Sequence, residues 1–373
     1  MPSRLEAYLH SVIDEPPRLG LSADALRTLL GGLERLYGAG LASYLFAERL
    51  GLRRRERLPV PVVSIGNLSV GGTGKTPMTQ WLVSCLREEG RRAAILSRGH
   101  GGSSQTVRLV SDDAGKVLLS ASDAGDEPYL LVATLPGCPV LVGKDRRQSG
   151  RAALRRFDLD VLVLDDGFQF WQLARDLDIV LLDARHPFAN GHALPRGLLR
   201  EPKQNLRRAG VVIATRAGGM DAAARAALRE DVAYLAPRAS VFFADHRAVG
   251  FVPVHDLAAP VVPLDRFRGR PVSAACAIAR PDSFRRTLEQ DAGAKVSGFK
   301  VWDDHHPLTR EDAAKVLADA ARVGAEAVMI TEKDAVKWAA VCAPDAGLPV
   351  YALRVAMAVD DAAGLTAAVN QVF

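Results

Sequence analysis

The stretch VPVVSIGNLSVGGTGKT, residues 60–76, decides the fold of this chain. Its first six residues are mostly β-branched, which predicts a buried strand over 60–65. A glycine-rich run follows at 71–76, and residues 78–89 then have helical periodicity. A strand, a glycine loop ending in Gly-Lys-Thr and a helix predict a P-loop, in which backbone N–H groups form an anion-binding nest at a helix N-terminus.

We call residues 69–76 the phosphate loop. Lys75 is expected to reach the β- and γ-phosphates of a nucleotide, and the hydroxyl of Thr76 is expected to bind Mg²⁺. The strict pattern has glycine where this chain has Ser69. The predicted nucleotide contacts are Ser69, Val70, Gly71, Gly72, Thr73, Gly74, Lys75 and Thr76.

Further apolar strands alternate with helical segments along the chain. They are predicted at 92–96, 139–142, 160–164, 178–182 and 210–214. This alternation is typical of a mostly parallel sheet covered by helices on both faces. Ligands of such sheets gather at the carboxyl ends of the strands, so the sequence predicts an α/β, P-loop NTPase-like fold with its site at that edge.

Two adjacent acids end the predicted strand 160–164. Asp165 and Asp166 have the form of a Walker B motif, in which an apolar strand delivers an acid to Mg²⁺. The simpler alternative is that both carboxylates cap the next helix. In a chain that already has a phosphate loop, the metal-binding interpretation is favoured.

Two absences narrow the class of nucleotide-binding protein. The residues after the predicted strand 210–214, Thr-Arg-Ala-Gly at 215–218, lack the closing acid of a guanine-reading motif. Val70 stands where ATPase switches and metallochaperones have a second lysine. Both absences favour an ATP-using phosphotransferase, with the P-loop ATPase switch or metallochaperone acting on a protein partner as the alternative.

The composition is that of an ordinary globular chain of 373 residues, of which 48% are hydrophobic. A net charge of +5 on this length does not indicate nucleic-acid binding. The cysteines at 85, 138, 276 and 342 form no CxxC pair, which fits a reducing compartment. The first residues carry acids and prolines instead of the apolar core of a signal peptide, and no apolar run approaches the roughly 20 residues of a membrane span.

Residues 23–57 have Leu, Tyr and Phe at helical spacing and end in an arginine cluster at 49–57. One interpretation is an amphipathic helix that lies in a membrane interface. The other is a helix packed on its own domain, which has the same pattern.

Two places offer a group that accepts the proton of an attacking hydroxyl. Asp126 and Glu127 stand at the start of a predicted helix, 129–134, where acids also serve as caps. The run Asp-Asp-His-His-Pro at 303–307 opens the predicted helix 309–322. Its histidines either lie at the surface or share a proton with a carboxylate.

Taken together, these motifs resemble one family, the tetraacyldisaccharide 4′-kinases of lipopolysaccharide assembly. The resemblance extends along nearly the whole chain. Its further motifs, in order, are Val63–Asn67, Ser97–Gly99, Gly125–Pro128, Asp165–Gln169, Leu173–Asp176, Asn190–Gly191, Leu194–Pro195, Arg200–Pro202, Asp304–His305 and Thr331–Asp334.

The resemblance implies transfer of the ATP γ-phosphate to the 4′-hydroxyl of a tetraacylated glucosamine disaccharide 1-phosphate. It implies that Asp126 is the base, that His305 works with it, and that Glu127 is a supporting acid. It places Mg²⁺ on Thr76, Asp165 and Asp166.

The resemblance also implies an organisation and a location. We expect an amphipathic membrane-associating segment over 1–57, a nucleotide-binding domain over 58–250 and a smaller α/β/α domain over 251–373, with the site between the two domains. The family is peripheral on the cytoplasmic face of the bacterial inner membrane and acts on a lipid, which favours the membrane interpretation of the N-terminal helix.

Three departures from the family pattern stand out. His100 replaces a usual tyrosine, Phe170 replaces a usual histidine, and Ala277 and Ala279 replace two glycines. None of them touches the predicted phosphate or proton chemistry.

Overall fold

The structure, a computed structural model, describes residues 21–50, 52, 54–103, 106–304, 306–343 and 347–373. Its strands are β1 (Val62–Asn67), β2 (Ala93–Ser97), β3 (Arg108–Ser111), β4 (Val140–Val142), β5 (Val161–Asp165), β6 (Leu177–Asp183), β7 (Val211–Thr215), β8 (Ser240–Pro253), β9 (Pro271–Cys276), β10 (Lys295–Val301), β11 (Val328–Thr331) and β12 (Val350–Val359).

Helices alternate with these strands, as the sequence predicts. They are α1 (Leu21–Arg49), α2 (Lys75–Glu88), α3 (Ala121–Ala124), α4 (Asp126–Thr134), α5 (Arg146–Arg156), α6 (Ala222–Leu235), α7 (Pro281–Arg286), α8 (Arg310–Arg322), α9 (Glu332–Val341) and α10 (Ala362–Asn370). Short 3₁₀ helices cover Lys203–Arg208 and Leu264–Phe267, and a π-helical turn covers Thr287–Asp291.

The chain divides into two compact units. Unit 1 comprises 1–75, 159–245 and 358–373, and unit 2 comprises 76–158 and 246–357. The proposed division into segments 1–57, 58–250 and 251–373 stays a prediction.

Unit 1 is built on a parallel sheet whose strands run in the order β8-β7-β6-β1-β5. Every residue of β1, β5, β6 and β7 is buried, as expected for strands covered on both faces. On one face, Val180 and Val212 of the sheet pack with Val232 of α6 in a common apolar cluster. The register pairs Ile65 with Asp165, so the carboxyl ends of β1 and β5 lie side by side.

Unit 2 has two groups of strands. In the first, β2 is parallel to β4, and β3 is antiparallel to β4. In the second, β10, β9, β11 and β12 run in that order and are parallel. Alternate residues of β9 and β11 belong to two different apolar clusters, so this sheet too is covered on both faces.

The predicted fold class is therefore confirmed: the chain is a mostly parallel α/β protein with a P-loop-type arrangement and an N-terminal helix. Of the helices that the structure describes, none is long and apolar enough to cross a bilayer. The predicted helical segment 23–57 is shorter than expected, because α1 ends at Arg49.

Candidate active site

The phosphate loop follows β1 with the backbone geometry of an anion nest. Gly71 and Gly74 have φ values of 112° and 91°, which glycine adopts without strain. A Cβ atom placed on Gly71 or Gly72 would meet no atom within 4 Å, so the loop leaves open space above its backbone. Space of this kind beside a helix N-terminus suits a phosphate group.

Side chains at the ends of β1 and β7 donate hydrogen bonds to the phosphate loop. Asn67 Nδ2 donates to Thr73 Oγ1 at 3.0 Å, and Thr215 Oγ1 donates to the Thr73 carbonyl at 2.9 Å. Arg216 donates to the Gly72 carbonyl at 2.5 Å and to Asp183 Oδ2 at 2.6 Å. Thr215 and Arg216, at the end of β7, therefore hold the loop in place.

The start of the loop pairs with the segment 198–200. The Val70 N–H donates to the Leu198 carbonyl, and the Arg200 N–H donates to the Leu68 carbonyl, both at 2.7 Å. Ser69 forms an antiparallel bridge with Leu199 between these two bonds. A residue in a strand-like bridge is extended and needs no glycine, which explains the departure at Ser69.

The two Walker B acids have different surroundings. Asp165 ends β5 and is only 2% exposed. Asp166 has a left-handed φ of 54°, and both of its carboxylate oxygens accept from Arg200 Nη1, at 2.8 and 2.9 Å. Lys75 Nζ lies 3.9 Å from Asp166 Oδ1, so Asp166 connects the phosphate-loop lysine to Arg200.

A buried polar network lies behind Arg200. The Glu201 carboxylate is fully buried and accepts from Arg208, Asn205 and Gln169. Gln169 also donates to the Asn67 carbonyl at 3.0 Å, at the end of β1. Burial lowers the pKa of Arg208 below its ordinary value, while the Glu201 charge opposes that shift. The network therefore connects the motif 200–202 to the end of β1, from which the phosphate loop begins.

In unit 2, a close backbone contact positions Asp126. Asp126 is the first residue of α4, and the preceding Gly125 has φ 93°. A Cβ on Gly125 would lie 2.4 Å from the His100 carbonyl oxygen. His100 therefore supports the turn before Asp126 through its backbone carbonyl. This contact does not depend on the side chain in which His100 departs from the family. Glu127 lies in the first turn of α4 and is partly buried.

Asp126 belongs to a cluster of charged groups that sequence reasoning did not assemble. Lys337 Nζ lies 3.6 Å from Asp126 Oδ2 and donates to the His306 carbonyl at 3.1 Å. One helical turn earlier, Lys333 donates to Asp304 Oδ1 at 3.0 Å. We call Asp126, Asp304, His306, Lys333 and Lys337 the Asp126 cluster. The predicted partner His305 lies outside the described residues.

The other departures have plain structural settings. The Phe170 carbonyl accepts from Arg175 Nη1 at 2.6 Å. The Ala277 N–H donates to Asp334 Oδ2 at 3.0 Å, and burial raises the pKa of Asp334 above its ordinary value. The loop after β9 is thus fixed by a buried carboxylate.

Helix α1 contacts the same segment that pairs with the phosphate loop. The Glu34 carboxylate accepts the Ala193 N–H at 2.6 Å and lies 2.9 Å from His192 Nδ1, and Tyr37 Oη donates to the Arg200 carbonyl at 2.7 Å. A cavity of about 450 Å³ is lined by the second half of α1 and by the 3₁₀ helix from Lys203. Other α1 side chains face solvent, among them Leu29 and Leu36, which are 60% and 71% exposed.

Comparison with known proteins decides the family. The family model described as tetraacyldisaccharide-1-P 4′-kinase matches residues 26–373. The chain belongs to this family. A tetraacyldisaccharide 4′-kinase from Anaeromyxobacter sp. (strain Fw109-5) is 45% identical over 322 residues, covering 84% of this chain and 82% of the relative. Another from Geobacter sulfurreducens is 38% identical and covers 95% of both chains.

A solved structure agrees with this assignment. The fold is similar to that of LpxK from Aquifex aeolicus, determined in complex with ATP, with a TM-score of 0.74 and 29% identity over 93% of this chain. Membership of the tetraacyldisaccharide 4′-kinase family confirms the predicted kinase class and favours it over the ATPase-switch alternative.

Proposed function

We propose that this chain transfers the γ-phosphate of ATP to the 4′-hydroxyl of a tetraacylated glucosamine disaccharide 1-phosphate, giving the lipid A precursor bisphosphate. The observation that supports this most is the open phosphate loop beside Lys75 and the two strand-end acids, in a chain of this kinase family. The relatives carry the name of this activity, and the structure from Aquifex aeolicus holds ATP.

The residues present suit a magnesium ion at the phosphate loop. Mg²⁺ prefers hard oxygen ligands and keeps several waters, so few protein groups are needed. Among the described residues, no group of three His, Cys, Asp or Glu side chains converges on one point, which fits an ion held largely by phosphate oxygens and water. We propose that the Thr76 hydroxyl and the carboxylates of Asp165 and Asp166 hold the ion, directly or through water. When bound, the ion would neutralise charge on the β- and γ-phosphates.

The protein groups have separate tasks in the proposed reaction. Lys75 places a positive charge against the β- and γ-phosphates, and the loop N–H groups bind their oxygens. Asp126 accepts the proton of the 4′-hydroxyl while that oxygen bonds to the γ-phosphorus and the bond to the β–γ bridging oxygen breaks. ADP leaves with the bridging oxygen. His305 is proposed to orient Asp126, and Glu127 is proposed to support it.

An activity assay tests the proposal. Purified full-length protein, Mg²⁺, ATP labelled in its γ-phosphate and the disaccharide 1-phosphate in detergent micelles should yield a labelled bisphosphate lipid. An acceptor that is already phosphorylated at the 4′ position should remain unlabelled under the same conditions. No labelled product from the free acceptor, together with nucleotide-dependent binding of a protein, would favour the ATPase-switch alternative.

We also propose that the protein binds the cytoplasmic face of the bacterial inner membrane through α1. Its exposed apolar side chains Leu29, Leu36 and Phe46 can enter an interface, and the exposed Arg54 and Arg55 that follow can meet anionic lipid. Arg53 and residues 1–20, also part of this predicted segment, lie outside the described residues.

Flotation with anionic vesicles tests this membrane contact. Replacing Leu29, Leu36 and Phe46 together by serine should release most of the protein from the vesicles. Tyr234, which is 86% exposed on α6, provides the matched control, since Tyr234→Ser should leave flotation unchanged. Equal flotation of the triple variant and the unchanged protein would place the anchor elsewhere.

A further inference from the structure

Lys337 occupies a position in unit 2 from which one ammonium group reaches two separate segments. Its side chain is only 17% exposed, and Nζ lies 3.6 Å from Asp126 Oδ2 at the start of α4. The same Nζ donates to the His306 carbonyl at 3.1 Å. An ammonium group has three donors in a flexible arrangement, so both contacts can form together.

The packing of α9 against α4 fixes this position. Leu130 of α4 belongs to the same buried cluster as Val336 and Trp338 of α9. These apolar contacts are insensitive to the charge at residue 337, so the two helices stay packed when the lysine is replaced.

A second lysine of α9 also bonds a residue close to His306 in the chain. Lys333 and Lys337 are four residues apart and so lie on one face of the helix. Lys333 donates to Asp304, and Lys337 donates to His306, on either side of His305. The His306 ring is held in turn by stacking on Trp302 and by Asp312, at 3.2 Å. Of these two lysines, Lys337 is the one whose ammonium also lies beside Asp126.

We propose that Lys337 is a positioning residue for the proton acceptor. It holds Oδ2 of Asp126 so that Oδ1 is presented to the 4′-hydroxyl, and its bond to the His306 carbonyl ties the two segments to one ammonium group. This inference rests on the proposed function, in which Asp126 takes the proton. Small errors in the placement of a reacting group are costly, up to about a hundredfold in rate for a displacement of about 1 Å.

Steady-state kinetics of three variants test the inference. Lys337→Met, which keeps the length and removes the charge, should lower kcat by about tenfold or more, with the KM for ATP changed by less than about twofold. Lys337→Arg keeps a charged donor and should restore most of the lost kcat. Lys315→Met makes the same replacement at an exposed lysine of α8 and should behave as the unchanged protein.

A double-mutant cycle with Asp126→Asn distinguishes positioning from a general structural role. If Lys337 acts through Asp126, Lys337→Met should change the residual rate of the Asp126→Asn enzyme by less than about twofold. A structural role would lower the rate similarly in both backgrounds. Circular dichroism and the apparent Tm should show that every variant is folded.

The outcomes separate this inference from the function on which it rests. An inactive unchanged protein, or an Asp126→Asn variant with near-normal turnover, would overturn the proposed function and this inference together. An active protein that depends on Asp126 but tolerates Lys337→Met, or loses equal factors in both backgrounds, would overturn the role of Lys337 alone.

Discussion

The phosphate loop and the Asp126 cluster are built in opposite ways. The loop is one continuous stretch, 69–76, whose shape is set by its backbone and by two glycines with positive φ. The Asp126 cluster takes side chains from α4, from Asp304 and His306, and from α9. More than a hundred residues of chain separate α4 from the other two parts. Local geometry therefore determines the first region, and tertiary packing determines the second. Substitutions should affect the two regions differently.

The largest effect is expected at the phosphate loop itself. Lys75→Ala removes the charge placed against the β- and γ-phosphates, so kcat should fall by at least about a hundredfold and the affinity for an ATP analogue should fall as well. Radiolabel transfer and equilibrium binding of the analogue measure the two quantities. Near-normal turnover of this variant would remove Lys75 from the reaction.

Asp126 should give a comparable loss of rate with a different signature. Asp126→Asn keeps the shape of the side chain but cannot accept the proton, so kcat should fall by about a hundredfold while binding of the ATP analogue stays unchanged. Asp113→Asn, at an exposed turn of unit 2, is the matched control and should retain full activity. If Asp126→Asn weakened analogue binding as much as Lys75→Ala, the two regions would not have the separate tasks proposed here.

The same contrast explains how far the sequence alone could lead. The predicted strands agree with β1, β2, β4, β5, β6 and β7 to within one or two residues, because strand periodicity and glycine turns are local signals. The phosphate loop and the acids at the end of β5 are predicted from signals of the same local kind. For Asp126, the residues alone favour helix capping, and the role of base rests on the family resemblance.

Residues that act across the fold carried no comparable signal. Lys337 looks like any other helical lysine in the sequence, and its contact with Asp126 depends on how α9 packs on α4. Arg200 stood in a family motif, but nothing local indicated that it would bind both oxygens of Asp166. The irregularity at Ser69 likewise became clear only from its bridge to Leu199.

Two glycines, Gly66 in β1 before the phosphate loop and Gly125 before Asp126, test the importance of close backbone approach. A Cβ on Gly66 would lie 2.5 Å from Phe168 Cβ, and one on Gly125 would lie 2.4 Å from the His100 carbonyl oxygen. Gly66→Ala and Gly125→Ala should each destabilise the protein by about 1–3 kcal/mol, seen as a lower apparent Tm. Gly125→Ala should also lower kcat, because the turn that it strains presents Asp126.

Gly219→Ala is the control for these two variants. A Cβ at Gly219 would meet no atom within 4 Å, so its apparent Tm should equal that of the unchanged protein. If Gly66→Ala or Gly125→Ala were equally stable, the backbone at that position would be looser than the structure shows.

The smallest effect is expected at the start of α8, next to the Asp126 cluster. Thr309 and Asp312 form a capping box, with Thr309 Oγ1 accepting the Asp312 N–H at 3.1 Å and Asp312 Oδ2 accepting the Thr309 N–H at 3.1 Å. Thr309→Ala should cost about 1 kcal/mol of stability at neutral pH, measured by the midpoint of urea unfolding. Thr309→Ser keeps the hydroxyl and should restore it. Binding of the ATP analogue should be unchanged in both variants.

The pH dependence of the Thr309→Ala effect identifies the carboxylate involved. Hydrogen bonds hold the pKa of Asp312 below its ordinary value of 3.8. The largest contribution comes from the Thr309 hydroxyl, and smaller ones come from the Thr309 backbone N–H and from His306. A depressed carboxyl pKa contributes stability that is present above pH 3.8 and is lost as the pH falls through the lower folded value. The difference between Thr309→Ala and the unchanged protein should therefore shrink as the pH falls below 3.8. A stability difference between the two proteins that stayed constant below pH 3.8 would contradict this expectation. It would show that the Thr309 hydroxyl stabilises the helix only by accepting the Asp312 N–H, and not by bonding the charged carboxylate.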